Sequence, residues 1–147
     1  MNQDDGSIWP VVFFKRRRSW RYDDEPSGKI EMPIFERAVA GLAAVLCAAA
    51  VALGAYASHG LQGQAQSWVQ TAVAYLLPHG IALFLMAQTS SGLLRRAGML
   101  LLLGGVALFA GSLIGAALWQ WPTRLAPIGG SLLILGWLVQ ALSVLRR

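Results

Sequence analysis

Four stretches of the chain carry no charged residue: 38–57, 71–87, 97–118 and 126–145. Each approaches the ~20 residues a helix needs to cross a hydrocarbon core, the second being the shortest. In lipid such runs must be helical, because no water is present to satisfy the backbone N–H and C=O groups. Trp68, Trp119 and Trp121 stand at the edges of these runs, as interfacial aromatics do. The pattern predicts an all-α membrane protein: four transmembrane helices in a compact bundle, formed by residues 34–147.

Charge sharpens this picture. Only 13% of the 147 residues are charged, against about 25% in a soluble domain. All seven acidic residues lie before residue 37, and residues 38–147 hold five arginines and no carboxylate. The net charge of +5 therefore comes from arginines that flank apolar runs. That is the pattern of topology charges rather than of a nucleic-acid surface, and no nucleic-acid partner is expected. With the N-terminus inside, the cytoplasmic segments hold eleven basic residues and the outer loops one, Arg124. The expectation is a multi-pass protein of the inner (plasma) membrane with both termini cytoplasmic.

Residues 1–33 form a charged tail with no periodic pattern, and disorder is expected there. An aromatic patch at 8–14 precedes the basic run Lys15, Arg16, Arg17 and Arg18, a combination that can lie on an anionic membrane surface. Met32 offers a second start, in which case the tail is not translated. Ala55, Tyr56 and Ala57 have the small-x-small form of a signal-peptide cleavage site, but the run before them is longer than a usual signal core. A twin-arginine reading of residues 16–20 fails because the apolar segment starts too far away.

Helices in lipid associate through small residues that let backbones approach. Ala40, Ala44, Ala48 and Ala52 repeat at four-residue spacing in the first span, and Ala107, Gly111 and Gly115 in the third. Ala44, Ala48, Gly111 and Gly115 are therefore the expected packing residues, within the chain or against a second copy. Pro78, His79 and Gly80 predict a break inside the second span. Pro127, Gly129 and Gly130 open the fourth, where Pro127 suits the first turn of a helix. Paired breaks can mark two halves with a site between them.

The two histidines are the main candidates for chemistry. His59 falls at the end of the first span and reads as an interfacial imidazole. His79 lies eight residues into the second span, about 12 Å deep at 1.5 Å per residue. Thr71, Tyr75 and His79 share one helical face. Pro78 cannot donate to the Ala74 carbonyl, so a polar stripe with a freed oxygen is expected to face the bundle interior. In one reading His79 is a packing residue hydrogen-bonded to Tyr75, Ser112 or backbone. In the other, His79, Tyr75 and Ser112 form a ligand or proton site. No metal site is expected, since Cys47 is the lone cysteine and no carboxylate lies in the spans. No catalytic residue and no cofactor are implied.

Four motifs follow one another along the chain: LGAYASHGL at 53–61, TAVAY at 71–75 with His79 beyond it, LFAGSL at 108–113, and APIGG at 126–130 with Gly136 and Trp137. Together they resemble the YgdD/YwdK family of small inner-membrane proteins, a domain of unknown function akin to the transmembrane protein 256-like proteins. The resemblance covers residues 34–145. It implies a four-helix membrane fold and no established activity. The chain departs from the family pattern at Ala57 and Ser58, at Leu76 where glutamine is common, at Pro78 and in its N-terminal tail.

The functional expectation is an integral membrane protein of unknown biochemical function, an accessory or structural component acting through helix packing. Its partners would be the lipid bilayer and a membrane protein or a second copy of itself. The alternative is a small transporter or channel using the break at Pro78, His79 and Gly80. An enzyme ranks last, because acid/base chemistry would rest on two histidines and a few hydroxyls.

Overall fold

The computed structural model describes residues 32–89 and 92–146. The tail at 1–31, with its aromatic patch and basic run, and Arg147 lie outside the described residues. Four helices follow in order: α1 Ile34–Gly60, α2 Gly63–Ala87, α3 Leu93–Trp119 and α4 Leu125–Leu145. Their 27, 25, 27 and 21 residues correspond to about 40, 38, 40 and 32 Å, enough to cross a ~30 Å core. All four are apolar enough to span a membrane.

The helices outrun the uncharged segments for local reasons. α1 begins at Ile34 behind Pro33, whose carbonyl accepts from the Arg37 N–H, so Glu36 and Arg37 are helical. α2 begins eight residues before Thr71, because the glutamine-rich stretch after Gly63 continues the helix without needing lipid. Only Leu61 and Gln62 separate α1 from α2. Gly63 turns the chain with φ of +60°, a left-handed conformation that favours glycine. Pro127 sits in the first turn of α4, where its missing N–H costs nothing.

Short connections make consecutive helices antiparallel neighbours, and α1 packs on α2, α2 on α3 and α3 on α4. α3 is the most buried of the four. The chain reverses between α1 and α2 and between α3 and α4 at one end. The other end gathers the starts of α1 and α3 with the ends of α2 and α4.

The packing seams repeat every seven residues. Ala43, Ala50 and Ala57 of α1 are buried. On α3, Gly98 and Gly105 face α4, whose Gly129 and Gly136 answer them. A Cβ on Gly129 would meet the backbone of Phe109 and lie 2.8 Å from the Gly105 carbonyl. One on Gly136 would lie 2.8 Å from the Leu102 side chain. Between α1 and α2 the close approach is at Gly80, where a Cβ would lie 2.7 Å from Cys47 Sγ and 3.2 Å from the Ala43 carbonyl.

Within the chain, these seams run through residues other than the expected Ala44, Ala48, Gly111 and Gly115. Ala44 and Ala48 are exposed, and nothing lies within 4 Å of a Cβ built on Gly111. Gly115 is buried, but against the ring of Trp121 rather than another helix. The chain turns back on itself there: Gln120 is left-handed with φ of 57°, and the N–H groups of Gln120 and Trp121 close on the Gly115 carbonyl. The physical reason for the shift is angular. Four-residue steps advance about 40° around a helix, so a ladder of four alanines winds off any one face, whereas seven-residue steps drift only ~20°.

Candidate functional site

α2 is continuous through Pro78, so the expected break at Pro78, His79 and Gly80 is absent. Proline removes one backbone donor but not the helix, because the neighbouring segment is held in place by packing. Gly80 seats against Ala43 and Cys47. Cys47 Sγ approaches the Leu77 carbonyl at 4.0 Å, a long thiol contact.

His79 stands 16 residues after the start of α2, about 24 Å along it, and ~12 Å from its other end. Its Nδ1 lies 2.7 Å from the Tyr75 carbonyl, one turn back. Trp137 of α4 donates its indole N–H to Nε2 across 3.2 Å. These two partners select one protonation pattern. An indole can only donate, so Nε2 must carry the lone pair. A carbonyl can only accept, so the proton belongs on Nδ1. The neutral imidazole with Nδ1–H satisfies both neighbours.

An aromatic rim surrounds the pair. The Tyr75 ring stacks against His79 at 5.9 Å and 10°, and meets Phe109 of α3 at 4.5 Å. The His79 and Trp137 rings are 6.0 Å apart. Side chains of α2 and α4 thus reach towards each other over α3. Tyr75 is 41% exposed and Trp137 44%, so the rim opens outward and is not sealed in the interior. Thr71 is exposed and spends its hydroxyl on the Ser67 carbonyl at 2.9 Å. The expected interior stripe is therefore partly open at the outer surface of the helices.

Ser112 is not part of this arrangement. It is buried on α3, and its Oγ has no hydrogen-bond partner. His79 takes the backbone of Tyr75 and the indole of Trp137 instead. His59 is exposed in the last turn of α1, beside Gly60, over which the Tyr56 ring closes. Ala44 lines an open apolar cavity of about 290 Å³ with Cys47, Ile81, Phe84 and Leu85.

A second polar group lies at the other level of the bundle and was hidden in the sequence. Glu36, in the first turn of α1, is only 2% exposed. Arg96 of α3 donates its Nε–H to Glu36 Oε1 at 2.8 Å and lies over the Phe35 ring at 5.5 Å. Gln140 of α4 is buried and donates its amide to the Arg95 carbonyl at 3.1 Å. Gly98 makes room for that amide: a Cβ there would lie 2.7 Å from Gln140 Nε2. Ser143 closes the group by donating to the Gln140 carbonyl at 2.8 Å.

Glu36 escaped notice because it precedes the first uncharged run and shares a charge-rich region with the tail. Its helical spacing carried the signal: Glu36, Val39 and Ala43 lie on one buried face of α1. Gln140 likewise continues the buried stripe Ala126, Gly129, Leu133 and Gly136 at steps of three and four. Trp137, one residue off that stripe, has no local signal for its bond to His79.

A family model described as "Protein of unknown function (DUF423)" matches residues 53–130, just over half of the chain. A UPF0382 membrane protein of Haemophilus influenzae is 37% identical over 99 residues, covering 60% of this chain and 77% of that protein. A UPF0382 membrane protein of Staphylococcus epidermidis is 37% identical over 107 residues, 66% of this chain and 86% of that one. One of Staphylococcus haemolyticus is 36% identical over 115 residues, 71% and 93% of the two chains. No solved structure matches. The ordered motifs, the four spanning helices and these relatives agree: the chain belongs to the DUF423/UPF0382 family of integral membrane proteins of unknown function.

Proposed function

We propose that this protein is an accessory or structural component of the inner (plasma) membrane, acting through helix packing, and not an enzyme. The observation that carries this reading is the pair His79 and Trp137. Both imidazole nitrogens are engaged by groups of the chain itself, Tyr75 O and Trp137 Nε1. A histidine so held joins α2 to α4 as packing glue, and a proton or ligand would first have to displace the indole. Apolar side chains of α1 and α4, such as Leu42, Val45, Ile134 and Leu138, face outward towards lipid, a membrane-protein partner or a second copy.

Both termini are cytoplasmic in this reading. Arg37, Arg95, Arg96 and Arg146 belong to the end where α1 and α3 start, and Arg124 to the opposite end. The positive-inside preference then puts the arginine-rich end in the cytoplasm.

Native mass spectrometry of the protein gently extracted from its own membrane tests the functional reading. A stoichiometric second subunit, foreign or identical, is expected. A lone protomer carrying a retained small molecule would overturn it.

A further inference from the structure

The two bonds of His79 respond differently to a proton. Neutral His79 donates Nδ1–H to the Tyr75 carbonyl at 2.7 Å and accepts the Trp137 indole N–H at Nε2 across 3.2 Å. An imidazolium donates from both nitrogens, and an indole N–H can only donate. Protonated His79 therefore keeps the Tyr75 carbonyl and opposes Trp137 donor to donor. We propose that the bond between His79 and Trp137 is an acid-sensitive latch, in which one proton on Nε2 releases the indole of α4 from α2. The latch rests on the packing reading of this pair and adds its regulation.

Each form of the ring has partners in the structure. The bond from Nδ1–H to the Tyr75 carbonyl strengthens when the ring is charged. The Tyr75 ring, stacked at 5.9 Å and 10°, presents its face to the cation. Both partners belong to α2, so the charged ring stays on its own helix while Trp137 leaves. Around the cluster α2 presents Tyr75 as a titratable group, whereas α3 presents Phe109 and α4 Trp137, neither of which titrates. α1 meets α2 on the side of Leu77 and Gly80, where its titratable group is Cys47. No Asp, Glu, Lys or Arg occurs at 38–94, 97–123 or 125–145.

Among the described residues this is the hydrogen bond that joins α2 to α4; the packing seams run from α2 to α3 and from α3 to α4. Opening it leaves the bundle folded and frees an indole that is 44% exposed. Its N–H then lacks an acceptor in apolar surroundings, where an unpaired donor is costly. Trp137 stands one turn from Ile134 and beside Leu138, on the outward surface of α4 where the packing reading places lipid or a partner. Acid thus adds a hydrogen-bond donor to that surface and removes a tie between two helices.

The experiment follows both rings in one sample. The full chain with His59→Asn, labelled with nitrogen-15 on histidine and tryptophan, is reconstituted in phosphatidylcholine bilayers. It is titrated from about pH 8 to about pH 4, a window around the ordinary imidazole value of about 6.5. The Trp137 Nε1 resonance is assigned by its absence in Trp137→Phe. The expected result is a hydrogen-bonded indole resonance at the alkaline end that is lost as the His79 imidazolium signal grows, with one midpoint for both. In His79→Gln, whose amide oxygen accepts at every pH, the Trp137 resonance is expected to hold still across the window. An imidazolium that leaves the indole resonance in place overturns the proposal. So does a His79 that stays neutral to the acid end, or an indole shift that persists in His79→Gln. Should that variant fail to fold, the two midpoints in the first sample decide alone. Absence of the bond already at the alkaline end overturns the packing reading and the latch with it, whereas a bond that resists acid overturns the latch alone.

Discussion

Glu36 and Arg96 meet at 2.8 Å across sixty positions of sequence, joining the first turn of α1 to the first turn of α3. α1 packs along α2, so this ion pair is a direct tie between α1 and the central helix. Glu36 is buried while the Arg96 side chain is 40% exposed. Removing the carboxylate leaves an arginine that can turn to solvent or head groups. Removing the arginine takes the 2.8 Å partner from a buried carboxylate. Glu36→Ala is expected to lower stability by roughly 1.5–3 kcal/mol, the range for a hydrogen bond to a charged group, and Arg96→Ala by more. Unfolding in mixed micelles, with the double variant completing a cycle, measures the coupling; additive losses would show that the pair contributes nothing.

Glycines on α3 and α4 should respond to a methyl group in opposite ways. Gly129→Ala drives a Cβ into the Phe109 and Gly105 backbone, which must separate, at a cost of about 1–3 kcal/mol for overpacking. Gly111→Ala meets nothing and gains about 1 kcal/mol of helix propensity. Thermal unfolding in detergent separates the two. Equal losses would restore Gly111 to a packing seam.

Ser112 offers a stabilising substitution. Its buried Oγ has no partner, so Ser112→Ala removes an unsatisfied hydroxyl and is expected to gain about 1 kcal/mol. A loss of stability on the same unfolding assay would mean that the hydroxyl finds a partner in the membrane.

Trp137→Phe keeps an aromatic ring beside His79 and deletes the indole donor. The expected loss is about 0.6 kcal/mol, the average for a hydrogen bond between membrane helices. Trp137→Ala should cost more, since the ring contact at 6.0 Å goes with it.

Helix number could be read from the chain because lipid leaves an uncharged run only one backbone solution, whereas the helices run past those segments for local reasons such as the turn at Gly63. Helix faces could not. α1 is so rich in alanine that Ala44 and Ala48 look no different from Ala43 and Ala50, and only the neighbouring helix decides which set is buried. Gly111 and Gly115 share the motif spacing, but a Cβ on Gly111 would meet nothing within 4 Å and one on Gly115 would meet the Trp121 ring. His79 was legible as a polar residue deep in a span. Its partner was not, since the bond to Trp137 joins positions 58 apart and depends on how α2 and α4 flank α3. Glu36 was masked by its neighbours in sequence, although its helical register with Val39 and Ala43 pointed inward.

The most direct measurement is the nitrogen-15 spectrum of His79 in the full chain, labelled on histidine and reconstituted in bilayers at neutral pH, with His59→Asn removing the second signal. Expected is a neutral ring with the proton on Nδ1 and a hydrogen-bonded Nε2 whose resonance moves in Trp137→Phe. An imidazolium signal, an Nε2–H tautomer, or an Nε2 resonance indifferent to Trp137 would contradict the packing role and return His79 to the candidates for a proton or ligand site.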